Sequence, residues 1–162
     1  MTAETLHISV AEQRLLLFVQ GELIRSYAVS TALKGVGNTE NSGCTPVGLH
    51  YVRAKIGAGL PANAVFVGRR FTGEYYTPAL AARYPQRDWI LTRILWLCGL
   101  ERGINRLGRV DSMRRFIYIH GTPDTEPMGL PMSHGCVRMR NTDIIELFEL
   151  IPAGCRVSIT AE

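Results

Sequence analysis

Two short segments carry the side chains able to do covalent chemistry: Ser133-His134-Gly135-Cys136-Val137-Arg138 and, upstream of it, Ile117-Tyr118-Ile119-His120-Gly121-Thr122. A cysteine attacks as its thiolate, and an adjacent histidine is the group that most often stabilises that ion. Cys136 follows a glycine and precedes the strand former Val137, a place where backbone N–H groups are free to face a developing oxyanion. His120 ends an apolar, strand-like run whose buried neighbours hold it rigidly, which suits a general base. The carbonyl of Gly121 or the hydroxyl of Thr122 is placed to take the second ring nitrogen and set its tautomer. Arg138, two residues beyond the thiol, is expected to hold a substrate carboxylate beside the attacked bond. The expected ground state is an ionised Cys136 sulfur held by the His120 imidazole. A lone cysteine is usually a small buried hydrophobe and a lone histidine a satisfied structural residue. Together with Ser133, Gly135 and Arg138 they read as catalysis. Metal binding through His120, His134 and Cys136 is the lesser reading, because no second cluster supplies ligands at known spacing. No cofactor is implied.

These groups need a frame, and the first third of the chain supplies strands. Leu6-His7-Ile8-Ser9-Val10 alternates apolar and polar, 14–19 runs back after Ala11-Glu12-Gln13, and 23–30 follows Gln20-Gly21-Glu22. Short strands joined by such turns are antiparallel hairpins. A polar, glycine-rich loop over 35–43 leads through Thr45-Pro46-Val47-Gly48 to strands over 49–56 and 64–67. Residues 69–111 read as a helical insertion in this β framework. Within it 78–87 is irregular, and the apolar spacing of 88–97 predicts a helix capped by Asp88 and stopped by Gly99. A strand over 116–119 delivers His120. A helix over 141–151, with Asn141 as N-cap and Pro152-Ala153-Gly154 as terminator, precedes a last strand over 156–160. The insertion is too short for a core of its own, so 1–162 is expected to form a single domain.

The bulk composition narrows the class of partner. At 162 residues with 46% hydrophobic and 20% charged content, the chain suits one globular domain. Lys34 and Lys55 are its only lysines, so sixteen of the eighteen basic residues behind the net charge of +4 are arginines. Scattered guanidinium forks suit small acidic substrates, and the absence of a compact basic run argues against nucleic acid. Cys44, Cys98, Cys136 and Cys155 form no Cys-x-x-Cys pair, and Cys98, in an apolar run, reads as a reduced core thiol. No stretch approaches the length of a membrane span. The start lacks a basic region and the apolar run 15–19 is too short for a signal core, so with Met1 as the native start the expectation is a cytoplasmic protein, with a periplasmic one as the alternative.

Ile119-His120-Gly121, a loop through Gly129, and Ser133-His134-Gly135-Cys136-Val137-Arg138-Met139 resemble the L,D-transpeptidase catalytic domain, the YkuD-like family. Asn141-x-Asp143, Leu147-Phe148, Thr45-Pro46-x-Gly48 and the opening hairpins resemble it too, so nearly the whole chain is covered. The resemblance implies a mainly β, β-sandwich-like fold of mixed sheets with the cysteine at one end. It also implies bacterial peptidoglycan chemistry, in which a thiolate attacks the L,D bond before the terminal D-Ala of a stem tetrapeptide. Carried onto this chain, Cys136 is the nucleophile and His120 the base. N–H groups around Gly135 and Cys136 form the oxyanion site, while Ser133, His134 and Arg138 shape the pocket. An amine acceptor makes the enzyme a transpeptidase, forming 3-3 cross-links or exchanging D-amino acids. Water makes it an L,D-carboxypeptidase, the outcome a cytoplasmic role in muropeptide recycling favours. Covalent inhibition by carbapenems is a further implication. A muropeptide-binding protein that keeps the fold without catalysis is the reading from a different class. The 69–111 segment is expected to lid the cleft or offer arginines to the acidic stem, or else to be packing decoration.

Overall fold

A computed structural model describes residues 2–162. Strands β1 (Glu4–Ser9), β2 (Arg14–Val19) and β3 (Glu22–Ser30) form two successive antiparallel hairpins. The β2–β3 turn is the pair Gln20-Gly21, with φ of 50° and 81°. Two consecutive positive φ values mark the turn whose twist matches that of the flanking strands. Then come β4 (Gly48–Ile56), β5 (Ala64–Val67), β6 (Arg70–Tyr75), α1 (Pro78–Arg83) and β7 (Ile90–Gly99). The chain ends with β8 (Tyr118–Gly121), β9 (Val137–Met139), α2 (Asn141–Leu150) and β10 (Arg156–Thr160).

Among the described residues the strands form one sheet in the order β4-β10-β1-β2-β3-β9-β8-β7, and β7 pairs back onto β4 to close it. Only β1–β10 and β8–β9 are parallel, which makes the sheet mixed. The hairpin β5–β6 extends the first half of β7. Inside the closed sheet lie Leu6, Ile8, Leu15, Leu17, Val29, Leu97, Ile119, Val137, Met139 and Val157, joined by Ile144, Leu147 and Phe148 of α2. Each buried side chain of this size contributes roughly 1.5–3 kcal/mol. The mainly β, mixed-sheet expectation is thus met, as a sheet wrapped around its core.

The 88–97 helix is not. That segment is β7, a central strand flanked by β4 and β8 and buried on both faces. A strand covered on both sides needs no alternation, so its apolar run imitates helical spacing. Thr92, at φ 75°, marks an irregularity that shifts the β7–β8 register between Leu91 and Ile94. The helix of the 69–111 segment is α1, where an irregular stretch was expected. Thr77 Oγ1 accepts from Leu80 N–H at 3.1 Å and Pro78 opens the first turn. α1 buries nothing, whereas β7 holds the sheet together, so 69–111 is not a unit that can be removed. Among the described residues no helix is long and apolar enough to cross a membrane.

Candidate active site

The parallel pair β8–β9 aligns Ile119 with Val137 and His120 with Arg138. Ile119, Val137 and Met139 point into the core, so alternation along each strand sends Tyr118, His120, Cys136 and Arg138 to the opposite face. There Ala64, Phe66, Ile94 and Tyr118 make a second apolar cluster against which Cys136 packs. Thiol and imidazole therefore share a face, one pleat apart on neighbouring strands.

The turn that presents the thiol is held from three sides. Ser133 Oγ donates to the Cys136 carbonyl at 2.5 Å and accepts the Gly135 N–H at 3.3 Å. Thr45 Oγ1 donates to the Gly135 carbonyl at 2.9 Å while accepting the Ala32 N–H at 3.0 Å. Gly135 sits at φ 136°, a conformation that favours glycine. The Cys136 sulfur accepts the Tyr118 N–H at 3.3 Å and donates to the carbonyl of Phe116, also at 3.3 Å. Phe116 is itself at φ 57°, a strained position for a bulky residue beside a reactive group. Among the described residues the Cys136 N–H meets no acceptor. It stays free for an incoming oxygen.

His120 is buried, and its Nδ1 lies 2.6 Å from the Gly121 carbonyl. A carbonyl can only accept, so Nδ1 carries the proton and Nε2 keeps its lone pair. Of the two expected orienting groups, the Gly121 carbonyl serves. Thr122 instead offers its own carbonyl to Asn141 Nδ2 at 2.9 Å. Asn141 is thus not the expected N-cap: Arg140 holds that position without a side-chain cap bond, and Asn141 turns inward to brace the His120 strand. A Cβ on Gly121 would strike Asn141 Oδ1 and lie 2.6 Å from the Leu91 carbonyl, so only glycine fits.

Charge around the pair differs from the expectation. Burial pushes the Cys136 thiol up to about 12, against the Tyr118 N–H, Arg138 and Arg115, which pull it down; Asp88 adds to the rise. Burial lowers His120 below the ordinary imidazole value, against the Gly121 carbonyl and Asp88. Both shifts favour uncharged forms. They run against the expected ion pair, because burial penalises charge on either group more than the local dipoles repay it, and the sulfur's own hydrogen bonds go to Tyr118 and Phe116.

Arg138, expected to be free for substrate, is 7% exposed and already paired, with Asp88 at 3.3 Å and Glu126 at 3.8 Å. His134 is exposed, its Nδ1 3.6 Å from Asp88. It stands between two cavities. One, of about 510 Å³, has Cys136, Gly135, Arg114, Arg115 and Phe116 in its walls; the other, of about 250 Å³, has Asp88, Glu126 and Arg138. Sequence reasoning missed Arg115 and the Asp88 bridge, and saw Thr45 only as the lead-in to a strand. The Thr45-Pro46-x-Gly48 motif was the available signal for Thr45; the other two carried none. All four cysteines are free thiols.

The fold is a mainly β domain that carries Cys136 and His120 on one face of its sheet. The family model for the YkuD L,D-transpeptidase catalytic domain matches residues 3–159. The chain belongs to this family. It is 52% identical over 48 residues to the "Probable L,D-transpeptidase YbiS" of Escherichia coli (strain K12), covering 30% of this chain and 16% of that protein. Among solved structures it resembles an L,D-transpeptidase from Mycobacterium smegmatis, with TM-score 0.62 and 14% identity over 98% of this chain and 59% of that one. It also resembles L,D-transpeptidase 3 from Mycobacterium tuberculosis in complex with a faropenem-derived adduct, with TM-score 0.59 and 15% identity over 98% and 60% of the two chains. In each case the match spans less than two thirds of the relative's own length. At such identities the structural matches show the shared fold alone.

Proposed function

We propose that this chain is a cysteine-dependent L,D-acyl transferase acting on peptidoglycan stem tetrapeptides, with Cys136 as nucleophile and His120 as base. The observation that carries the reading is the Nδ1-locked His120 on the same sheet face as a thiol that opens onto a cleft. As Cys136 Sγ attacks the carbonyl before the terminal D-Ala, His120 Nε2 takes the thiol proton, so no free thiolate need form first. The oxygen that gains charge faces the unpaired Cys136 N–H. The imidazolium then returns its proton to the departing amine. D-Ala leaves and a thioester remains on Cys136.

Water completing the cycle makes the chain an L,D-carboxypeptidase, while an amine makes it a transpeptidase. The faropenem-derived adduct of the Mycobacterium tuberculosis relative supports the expectation that carbapenem-type β-lactams acylate Cys136. The test is incubation with a disaccharide tetrapeptide followed by mass analysis of the products. A tripeptide marks hydrolysis, and a dimer or D-amino-acid exchange marks transpeptidation. Wild-type protein that binds the muropeptide and releases no D-Ala would leave only the non-catalytic binder.

A further inference from the structure

With Arg138 committed to Asp88 and Glu126, the cleft still contains a guanidinium that no carboxylate answers. Arg115 lies in the wall of the 510 Å³ cavity with Cys136. Its Nη1 donates to the Gly37 carbonyl at 3.2 Å, and its Nη2 donates to Ser42 Oγ at 3.4 Å and the Cys44 carbonyl at 2.6 Å. Three neutral acceptors fix the group in place without neutralising it. Among the described residues it forms no ion pair, and its Nε–H and second Nη1–H have no protein acceptor. Cys44 precedes Thr45, whose hydroxyl donates to the Gly135 carbonyl of the reactive turn at 2.9 Å. One loop thus ties the guanidinium to the turn that presents the thiol. A half-buried, rigid and unanswered cation is suited to an anionic group on the ligand.

In the substrate proposed above, the nearest obligatory anion is the free carboxylate of the terminal residue, two bonds from the amide nitrogen that leaves. We propose that Arg115 binds this carboxylate and so makes the enzyme specific for the free end of the stem peptide. The assignment rests on the acyl-transfer reading and adds a specificity determinant to it. Arg115 touches substrate and takes no proton. Its charge also opposes the burial that keeps the Cys136 thiol protonated, so its removal affects reactivity as well as recognition.

The experiment therefore compares two substrates: a disaccharide tetrapeptide with its terminal carboxylate, and the same compound with a terminal carboxamide. The wild type is expected to prefer the acid in kcat/KM by roughly ten- to a hundredfold, the worth of a charge-assisted contact. Arg115→Gln should bring the two substrates to within about twofold, and Arg115→Lys should keep part of the preference. A purely structural Arg115 would lower both substrates alike and leave the ratio intact. That result, or a wild type indifferent to the carboxamide, overturns the assignment. A second readout needs no peptide. Alkylation of Cys136, followed by mass mapping, should favour anionic iodoacetate over iodoacetamide severalfold more in the wild type than in Arg115→Gln; an unchanged ratio counts against the assignment. A wild type inert toward both peptides overturns the functional reading and this one with it, whereas an active enzyme whose Arg115→Gln variant keeps its preference overturns this assignment alone.

Discussion

The Nδ1–H of His120 is donated to the carbonyl of Gly121, its own neighbour in β8, across 2.6 Å. An orienting carbonyl differs from an orienting carboxylate in one respect: it fixes the tautomer without adding a negative charge. Burial is therefore free to keep the imidazole neutral, and the same apolar cover keeps the thiol protonated.

This sets the pH dependence. A lowered His120 remains a competent base below the ordinary imidazole value of 6.5, and protonation abolishes it only at still lower pH. With the thiol near 12, no ascending limb belongs to the sulfur around neutrality. A profile of kcat/KM from about pH 4 to about pH 9 should rise through one apparent pKa below about 6.5 and then run level. Iodoacetamide labelling of Cys136 should be slow near neutrality and keep accelerating into the alkaline range. A labelling plateau reached below about pH 7 would instead reveal an ion pair.

The strand ends and reactive turn were legible because their chemistry is local. Ser133-His134-Gly135-Cys136 and Ile119-His120-Gly121 fall just before β9 and at the end of β8, the hairpin punctuation marked β2 to the residue, and the short apolar run 64–67 marked β5. What failed depends on partners distant in sequence. β7 looks helical until β4 and β8 cover its two faces, and Arg138 looks available until Asp88 closes on it. The ion pair failed likewise, since the cluster against which Cys136 packs takes Ala64, Phe66 and Ile94 from outside both segments.

Thr45 offers a test of how the turn is held. Its hydroxyl serves Ala32 and Gly135 at once, and both partners are buried in that region. Thr45→Val keeps the shape and leaves a donor and an acceptor unpaired, which should cost about 2 kcal/mol in denaturant unfolding. The loosened turn should also lower kcat/KM on the order of tenfold. Wild-type activity in a destabilised variant would uncouple Thr45 from the site.

His50 governs acid stability from outside the site. Fully buried, it is bonded to the Gly48 carbonyl at 3.0 Å and Ser112 Oγ at 2.8 Å, and burial lowers its pKa from 6.5 to about 4. The unfolded imidazole takes a proton near 6.5 and the folded one refuses it until about 4. Stability held above the upper value is therefore lost as pH falls through this window, by roughly 3 kcal/mol, and the loss ends below the lower value. Thermal melts of His50→Gln should show a visibly flatter decline between about pH 6.5 and about pH 4; a slope matching wild type would place the acid sensitivity elsewhere.

The account stands on a covalent bond to one sulfur. Intact-protein mass spectrometry after rapid mixing with disaccharide tetrapeptide and acid quench reads that bond directly. The expected species is heavier than the free chain by the substrate less one D-alanine, maps to the peptide containing Cys136, and is missing from Cys136→Ala, which also releases no D-Ala. D-Ala release by Cys136→Ala, or an adduct mapped to Cys44, Cys98 or Cys155, would contradict it.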